Sequence, residues 1–394
     1  MKMKMEIKFN TNILKWAIKK NNLSIYELSK KLGVKEEKVK NFLNEKDFPT
    51  YKQLHKLANV LRIPFGYFFL EKIPENELDI PDFRRNKESI PLSQTFFEIY
   101  YDTKNKQDWI KQKRLKNDFP QLDFVGRFSV DNSPKEIAND IQDTLEISEK
   151  DFGKPPSEML LNFSNKAENK GILVLKNSIL FNNSHIKLDP MEFRGFVLVD
   201  KVAPLIFINA ADSIKAQIFT LFHELAHIWI GESGISDVDL ENQNQIERLC
   251  NQVAVEILMP EERIEKYWDT NLEPLENIRE LSKKFGISKQ ALSYRALNLG
   301  YISPKIQKEI METLKKEWLE EKQEEHKKTE KSGGDYYRTL PVRNSKTFTY
   351  EVINSLMSGE ILYKEAAQLL NVKNIKTLNN LMENIRGTTG ATTE

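Results

Sequence analysis

Cysteine is almost absent from this sequence of 394 residues, in which Cys250 is the single example. One cysteine excludes an internal disulfide and is typical of a protein of the reducing cytoplasm. No stretch approaches the roughly 18 apolar residues that a membrane-spanning helix needs. The lysine-containing N-terminus, MKMKMEIKFN, lacks the apolar run of a secretory signal. These absences exclude the disulfide-stapled and membrane classes and predict a cytoplasmic protein without a membrane partner.

Excess charge of one sign is also missing from the chain as a whole, because 59 basic residues face 58 acidic ones. The length predicts two or three domains, and a hydrophobic content of 40% is enough for sizeable cores. The charge is unevenly spread, since residues 1–62 carry fifteen lysines and arginines against six acidic residues. A basic N-terminal domain predicts a nucleic acid or another acidic partner.

Histidine is scarce, with 5 in the chain, yet two of them form the pattern His223-Glu224-x-x-His227. Residues at i and i+4 share one face of a helix, so both imidazoles can reach one metal ion beside the glutamate. The surrounding residues are apolar on nearly all sides, which predicts a buried helix from about residue 212 to Gly231. Polar side chains buried there without partners would cost several kcal/mol, and a bound cation would satisfy them. The alternative is a buried helix whose histidines bond to carbonyl groups.

A catalytic zinc ion usually takes three protein ligands and a water molecule, so two histidines leave the site one ligand short. The other histidines, His55, His185 and His326, occur in the N-terminal domain, a loop and a charged helix. A carboxylate on the next predicted helix, residues 245–259, is the better candidate. Glu247 and Glu256 both flank its apolar stripe, and their spacing leaves both open.

Strand patterns precede the buried helix at residues 171–175, 195–199 and 204–209, where apolar residues run almost without interruption. A small sheet that leads into a buried helix of this kind predicts an α+β domain. The edge strand of such a sheet commonly receives a peptide substrate as an added strand.

The N-terminal residues predict an all-α domain with helices over 11–20, 25–32, 35–43 and 51–61. Ser24 and Glu27 form a capping-box pattern before the second helix, and Gly33 supplies the turn after it. A helix, a glycine-containing turn and a further helix are typical of the helix-turn-helix motif.

The rest of the chain is predicted to be mainly helical, with a polar, turn-rich segment at 231–243. An aromatic face in the region before the sheet is predicted to be core, formed by Phe96, Phe97, Tyr100, Tyr101 and Trp109. The predicted divisions are a helix-turn-helix domain (1–73), a linker (74–90), a helical connecting region (91–165), a central domain that holds the predicted metal ligands (166–303), a charged helix (304–332) and a small helical C-terminal unit with a disordered tail (333–394).

Residues 247–260, ERLCNQVAVEILMP, resemble the second signature of the ImmA/IrrE metallopeptidases. In that family, a glutamate four residues before an asparagine is the third zinc ligand. The resemblance therefore implies a zincin-like central domain in which His223, His227 and Glu247 bind Zn²⁺. It also implies that Glu224 is the general base of a zinc-dependent endopeptidase. Cys250, one turn from Glu247, is expected to serve in packing.

Residues 28–34, LSKKLGV, with Pro49-Thr50 after them, resemble the phage-repressor (Xre-type) DNA-binding domains. The resemblance implies that the helix after the turn enters the major groove and presents three lysines: Lys35, Lys38 and Lys40. Glu36 and Glu37 depart from this pattern, because they would face phosphates. The alternative is a four-helix domain that serves protein contacts.

ImmA/IrrE family members cleave a repressor-type transcription factor during stress or mobile-element induction, so the resemblance implies a protein substrate of that class. Phage-repressor-type domains often pair on DNA, which makes a homodimer a further expectation. One alternative is a transcription regulator or antitoxin-like protein without proteolytic activity, in which the zinc site is structural or sensory. Another is a toxic or phage-defence effector with the same chemistry and a different target.

Overall fold

The structure is a computed structural model, and it describes residues 9–21, 23–63, 65–73, 78–84, 92–236, 244–325, 336–373 and 375–389. The chain divides into two compact units, the first made of Met1–Asp79 and Pro91–Tyr100 and the second of Ile80–Ile90 and Tyr101–Glu394. Much of the predicted linker, the predicted end of the charged helix with His326, and residues 390–394 of the predicted disordered tail lie outside the described residues. The prediction is wrong for the start of that tail (387–394), since residues 387–389 belong to the last helix.

The first unit contains the predicted N-terminal helices, which are α1 (Thr11–Lys20), α2 (Ile25–Leu32), α3 (Glu36–Leu43) and α4 (Tyr51–Leu61). The capping box of Ser24 and Glu27 is confirmed, and Gly33 ends α2 in the left-handed conformation at φ 72°. Each helix contributes fully or nearly fully buried side chains to one core, among them Leu14, Leu28, Phe42 and Leu54. Helix α3 begins one residue later than predicted, because Lys35 has extended backbone and is its N-cap.

Helix α5 (Gln94–Lys116) begins in the first unit and continues into the second. The helices that follow are α6 (Pro134–Thr144), α7 (Pro156–Asn169), α8 (Ile214–Ile230), α9 (Gln245–Leu258), α10 (Glu261–Tyr267), α11 (Pro274–Phe285), α12 (Lys289–Asn298), α13 (Pro304–Glu325), α14 (Tyr336–Arg343), α15 (Lys346–Met357), α16 (Tyr363–Leu369) and α17 (Ile375–Thr389). Most of the predicted aromatic face on α5 is buried, but the prediction is wrong for Tyr101, which is 41% exposed.

The sheet of the second unit has the strand order β1-β5-β4-β6 among the described residues. Its strands are β1 (Leu173–Asn177), β4 (Gly195–Leu198), β5 (Leu205–Asn209) and β6 (Gly234–Ser236), and a separate hairpin is formed by β2 (Ile179–Leu180) and β3 (Asn183–Lys187). Strands β1 and β5 are parallel, and β4 is antiparallel to both β5 and β6. The three predicted strands are confirmed. Strand β6 was not predicted and lies in the stretch predicted to be turn-rich, since three residues are too few to show a strand pattern.

Helix α8 is at the centre of the second unit, where it packs against β4, β5 and the neighbouring helices α6, α7 and α9. Its apolar residues join those of the surrounding helices and strands in one core, in which Cys250 is fully buried. The predicted α+β class, with helical regions before and after the sheet, is confirmed. Across the described ranges, no helix has the length and apolar character to span a membrane.

Candidate metal centre

Helix α8 is well defined at both ends and buried for most of its length. The Ser213 hydroxyl accepts a hydrogen bond from the backbone N–H of Ala216, and Gly231 ends the helix at φ 88°. Every residue from 217 to 230 is buried. A hydrogen bond also connects it to α6, because the indole N–H of Trp229 donates to the carboxylate of Asp140 over 2.6 Å. The sequence prediction of a buried helix is therefore confirmed.

His223 and His227 turn their Nε2 atoms toward each other on this helix, 3.2 Å apart. Glu247 on α9 completes the group, with one carboxylate oxygen 3.0 Å from His227 Nε2 and the other 3.3 Å from His223 Nε2. All three side chains are fully buried, and one potential ligand atom from each lies within 4.8 Å of the others. The structure thus brings together the three predicted metal ligands from two helices.

Glu247 lies in the first turn of α9, which Asn244 caps by accepting from two backbone N–H groups. The positive end of the helix dipole favours a carboxylate at this position. Burial alone would raise the pKa of Glu247, but the two adjacent imidazoles outweigh it and lower that pKa to about 2. The candidate centre therefore contains a permanent negative charge at neutral pH.

The two imidazoles respond differently to this charge. Burial acts to lower the pKa of His223, but the charge and hydrogen bond of Glu247 outweigh it, so that pKa is raised above the ordinary value. The pKa of His227 is lowered, because burial dominates there. Metal ions bind imidazole in its neutral form, so metal binding here would be coupled to the loss of any proton that the two histidines carry.

Glu224 follows His223 directly and is also fully buried. Neither carboxylate oxygen makes a well-aligned hydrogen bond within the described part of the chain. Burial raises its pKa to about 8, and the opposing attraction of His223 does not offset this. Such a group needs a cation or a polar reactant nearby, because a buried carboxylate without one is strongly disfavoured.

Three residues around the centre were missed by the sequence analysis. Asn251 accepts from His223 Nδ1 over 2.9 Å, and the Ser236 hydroxyl on β6 lies 3.2 Å from His223 Nε2. Gly195 on β4 passes so close to α8 that an added Cβ would lie 2.8 Å from a Glu224 oxygen. Asn251 was within the quoted family signature and could have been found, whereas Ser236 and Gly195 belong to strands whose register sequence does not reveal.

The alternative ligand Glu256 lies elsewhere. Its carboxylate forms a two-armed ion pair with the guanidinium of Arg295, with both arms at 2.9 Å. Of the other histidines, His55 stacks on Phe65 in the first unit and His185 is in β3. Geometry therefore favours Glu247 over Glu256, the choice that residue spacing left open.

A divalent cation fits this group on chemical grounds. Two imidazole nitrogens and one carboxylate are a donor set that zinc takes in hydrolytic sites. The Nε2 atoms of the two histidines converge on Glu247 at hydrogen-bond distances, and the Nδ1 atom of His223 is held from outside by Asn251. An outer-shell bond of this kind orients a ligating histidine. His223, His227 and Glu247 would hold the ion.

Of the predicted DNA-contacting lysines, Lys35 is the N-cap of α3, Lys38 lies inside the helix and Lys40 lies in its last turn. Val39 and Phe42 of α3 are buried in the core. Lys35 and Lys40 are exposed. Lys38 is less exposed, and its ammonium lies 3.8 Å from a carboxylate oxygen of Asp47. Lys35 and Lys40 are thus accessible at the helix after the turn, as are the two acidic residues in its first turn.

Comparison with known families agrees with this organisation. A helix-turn-helix family matches residues 14–68, and the IrrE N-terminal-like domain, a peptidase family, matches residues 167–297. A domain of unknown function (DUF8813) matches residues 344–384. A search of curated proteins finds no match to the chain. The chain therefore contains a helix-turn-helix domain fused to an IrrE-like peptidase-family domain, as the sequence predicted, and all residues of the candidate centre lie in the second match.

Proposed function

We propose that this protein is a zinc-dependent endopeptidase whose N-terminal domain binds DNA. The observation that carries the proposal is the buried group of His223, His227 and Glu247, beside a buried Glu224 on the same helix. Its occurrence within the peptidase-family match supports a hydrolytic use. A zinc ion held there would polarise the carbonyl group of the peptide bond to be cut and would activate a water molecule for attack.

Glu224 is the residue we assign as general base. It would accept the proton of the attacking water and pass it to the amine that leaves when the peptide bond breaks. Burial raises the pKa of this carboxylate, and a cation held by the neighbouring ligands would lower that pKa and keep Glu224 ionised at neutral pH. The neighbouring apolar residues of α8 keep bulk water away, which strengthens every electrostatic interaction in the site.

The choice between a catalytic and a structural zinc site depends on the number of protein ligands. Structural zinc sites usually close with four protein ligands, whereas catalytic sites take three and keep one position open. The group found among the described residues has three members, and Glu224 has no use in a structural site. This supports the peptidase over a binding protein with a structural zinc ion.

The substrate follows from the family resemblance and the fused domain. We infer that a repressor-type transcription factor is cut, and that the helix-turn-helix domain brings the peptidase to promoter DNA where such repressors bind. The basic N-terminal sequence and the exposed lysines of α3 support the DNA-binding half of the proposal. A homodimer stays a prediction.

The test compares the full-length chain with Glu224→Gln, using zinc content and new protein N-termini in cells that express each. Both proteins should contain about one zinc ion per chain, but only the wild type should generate new N-termini, among them one within a repressor. Glu265→Gln, which changes an exposed glutamate on α10, is the matched control and should behave as wild type. Identical cleavage by zinc-loaded wild type and Glu224→Gln would reject Glu224 as the base.

A further inference from the structure

An extended segment, residues 80–84, lies along the edge of β6 that does not face β4. The backbone N–H of Phe83 donates to the carbonyl of Ile235 over 3.1 Å, and the N–H of Ile235 donates to the carbonyl of Pro81 over 3.0 Å. Asp82 and Ile235 thereby form a parallel bridge. Through this bridge the segment pairs with the edge strand that carries Ser236, a neighbour of the candidate metal centre.

The Phe83 side chain occupies a cradle that only glycine permits. A Cβ added at Gly234 would lie 2.3 Å from the Phe83 ring, so any side chain there would collide with it. The ring also stacks on the imidazole of His227, with centroids 5.8 Å apart and planes 13° from parallel. The aromatic position of the segment is thus built partly from a residue of the metal centre.

The next side chain, Arg84, is also bound specifically. It is buried, and its guanidinium donates to the carbonyl of Glu192 over 2.9 Å and to the carboxylate of Asp82. The segment therefore has main-chain pairing with a strand edge, an aromatic cradle and, in the carbonyl of Glu192, an acceptor for its arginine. These are the elements by which sheet edges recognise extended peptides.

The position of the segment in the chain distinguishes it from the strands of the peptidase domain. Residues 80–84 lie outside the family match at 167–297 and belong to the second compact unit, whereas the chain up to Asp79 belongs to the first. We propose that the outer edge of β6, with the Gly234 cradle, is the substrate groove, and that residues 80–84 occupy it in cis. The groove takes an extended protein segment that carries an aromatic residue followed by arginine.

This inference rests on the proposed function, because it names the substrate class of the same centre. A tethered segment has a high effective concentration at its groove, so a peptide from another molecule competes at a disadvantage. Weakening the hold on the tethered segment should therefore increase the affinity for a free peptide of the same sequence.

The test uses the full-length, zinc-loaded Glu224→Gln chain and a fluorescent peptide with the sequence of residues 78–84, LDIPDFR. Addition of Phe83→Ala empties the cradle and should tighten peptide binding about tenfold or more, measured by fluorescence anisotropy. Phe69→Ala, which removes an exposed aromatic ring in the first unit, is the matched control and should leave binding unchanged. The same peptide with alanine in place of phenylalanine should bind at least tenfold more weakly.

Gly234→Val provides the reciprocal variant, because its side chain fills the cradle from the protein side. In both Gly234→Val and Phe83→Ala, release of residues 80–84 should make the chain sensitive to trypsin at Arg84. Gly234→Val should nevertheless lose binding of the free peptide, because its cradle is filled. Equal peptide affinity in all these chains, or no binding by a Phe83→Ala chain whose Arg84 has become trypsin-sensitive, would overturn the groove assignment. The readout is binding by an inactive variant, so failure of the groove and failure of the peptidase proposal give different results.

Discussion

The side-chain oxygen of Asn251 lies 2.9 Å from Nδ1 of His223 and joins two helices at the candidate centre. An amide oxygen can only accept, so Nδ1 carries the proton and the lone pair of Nε2 is left for a metal ion. Asn251 is thus a positioning residue, since it fixes the ring and its tautomer without reaching the ion.

Asn251→Ala should weaken zinc binding about 10–100-fold while all three ligands remain. The measurement is competition against a chelator of known affinity at fixed pH. Gln252→Ala removes an exposed amide from the next position of α9 and should leave zinc affinity unchanged. Equal affinities for the two variants would show that the hydrogen bond to His223 does not orient the ligand.

Zinc content should separate the two glutamates of α9. Glu247→Ala should abolish zinc binding, because it removes one of three ligands. Glu256→Ala should retain about one zinc ion per chain, because Glu256 pairs with Arg295 instead. The latter variant should lower the free energy of unfolding by about 1–3 kcal/mol, since the largely buried guanidinium of Arg295 loses its carboxylate partner. Zinc loss in both variants, or retention in both, would contradict the assignment.

The parts of the centre that the sequence predicted are those with local patterns. His223, Glu224 and His227 share one helix, and their spacing in the sequence predicts that the two histidines lie on one face. The sequence also predicted both ends of that helix, near residue 213 and at Gly231. The ion pair of Glu256 and Arg295 joins residues 39 positions apart, so no local sequence pattern predicts it.

The missed elements depend on tertiary structure. Strand β6 has three residues, and the segment that pairs with it comes from a stretch whose prolines and charges are typical of a linker. Its pairing depends on main-chain groups, which every sequence carries, and on a glycine that makes room for Phe83. The sequence predicted that an edge strand receives a peptide, but periodicity does not reveal which strand forms the edge or that residues 80–84 pair with it.

Lys176 provides a prediction about stability and pH. Its side chain is buried on β1, and burial lowers its pKa from 10.5 to about 8, with only partial compensation by Glu168. The unfolded chain therefore binds more protons between pH 8 and 10.5. In that window the free energy of unfolding rises with pH through this group, and below pH 8 the full penalty remains.

Lys176→Met should raise the free energy of unfolding at pH 7 by about 1–3 kcal/mol, because it removes the cost of a buried charge. The gain should be smaller at pH 9.5, and denaturant unfolding at the two pH values measures it. Lys373→Met, at an exposed position, should show no pH-dependent gain. A destabilised Lys176→Met chain at pH 7 would indicate that the ammonium is stabilised by its contact with Ser164, 3.2 Å away.

The N-terminal domain allows a test in which individual lysines should behave differently. Lys35, the N-cap of α3, and Lys40, in its last turn, are exposed, whereas the ammonium of Lys38 is partly neutralised by Asp47. A lysine that contacts a phosphate releases about one counterion on binding, so its loss lowers the slope of log affinity against log salt by about one. The double variant Lys35→Ala and Lys40→Ala should therefore reduce that slope by about two, and Lys38→Ala should reduce it less.

The measurement is a salt titration of full-length protein on DNA from its own promoter region. Lys305→Ala, which removes an exposed lysine from α13, is the control for net charge and should leave the slope unchanged. Neutralising the exposed Glu36 and Glu37 with glutamine should strengthen binding, because these carboxylates would repel phosphates at the start of α3. If the lysine and glutamate variants bind DNA with the same affinity and slope as wild type, α3 does not enter the groove, and the four-helix domain serves protein contacts instead.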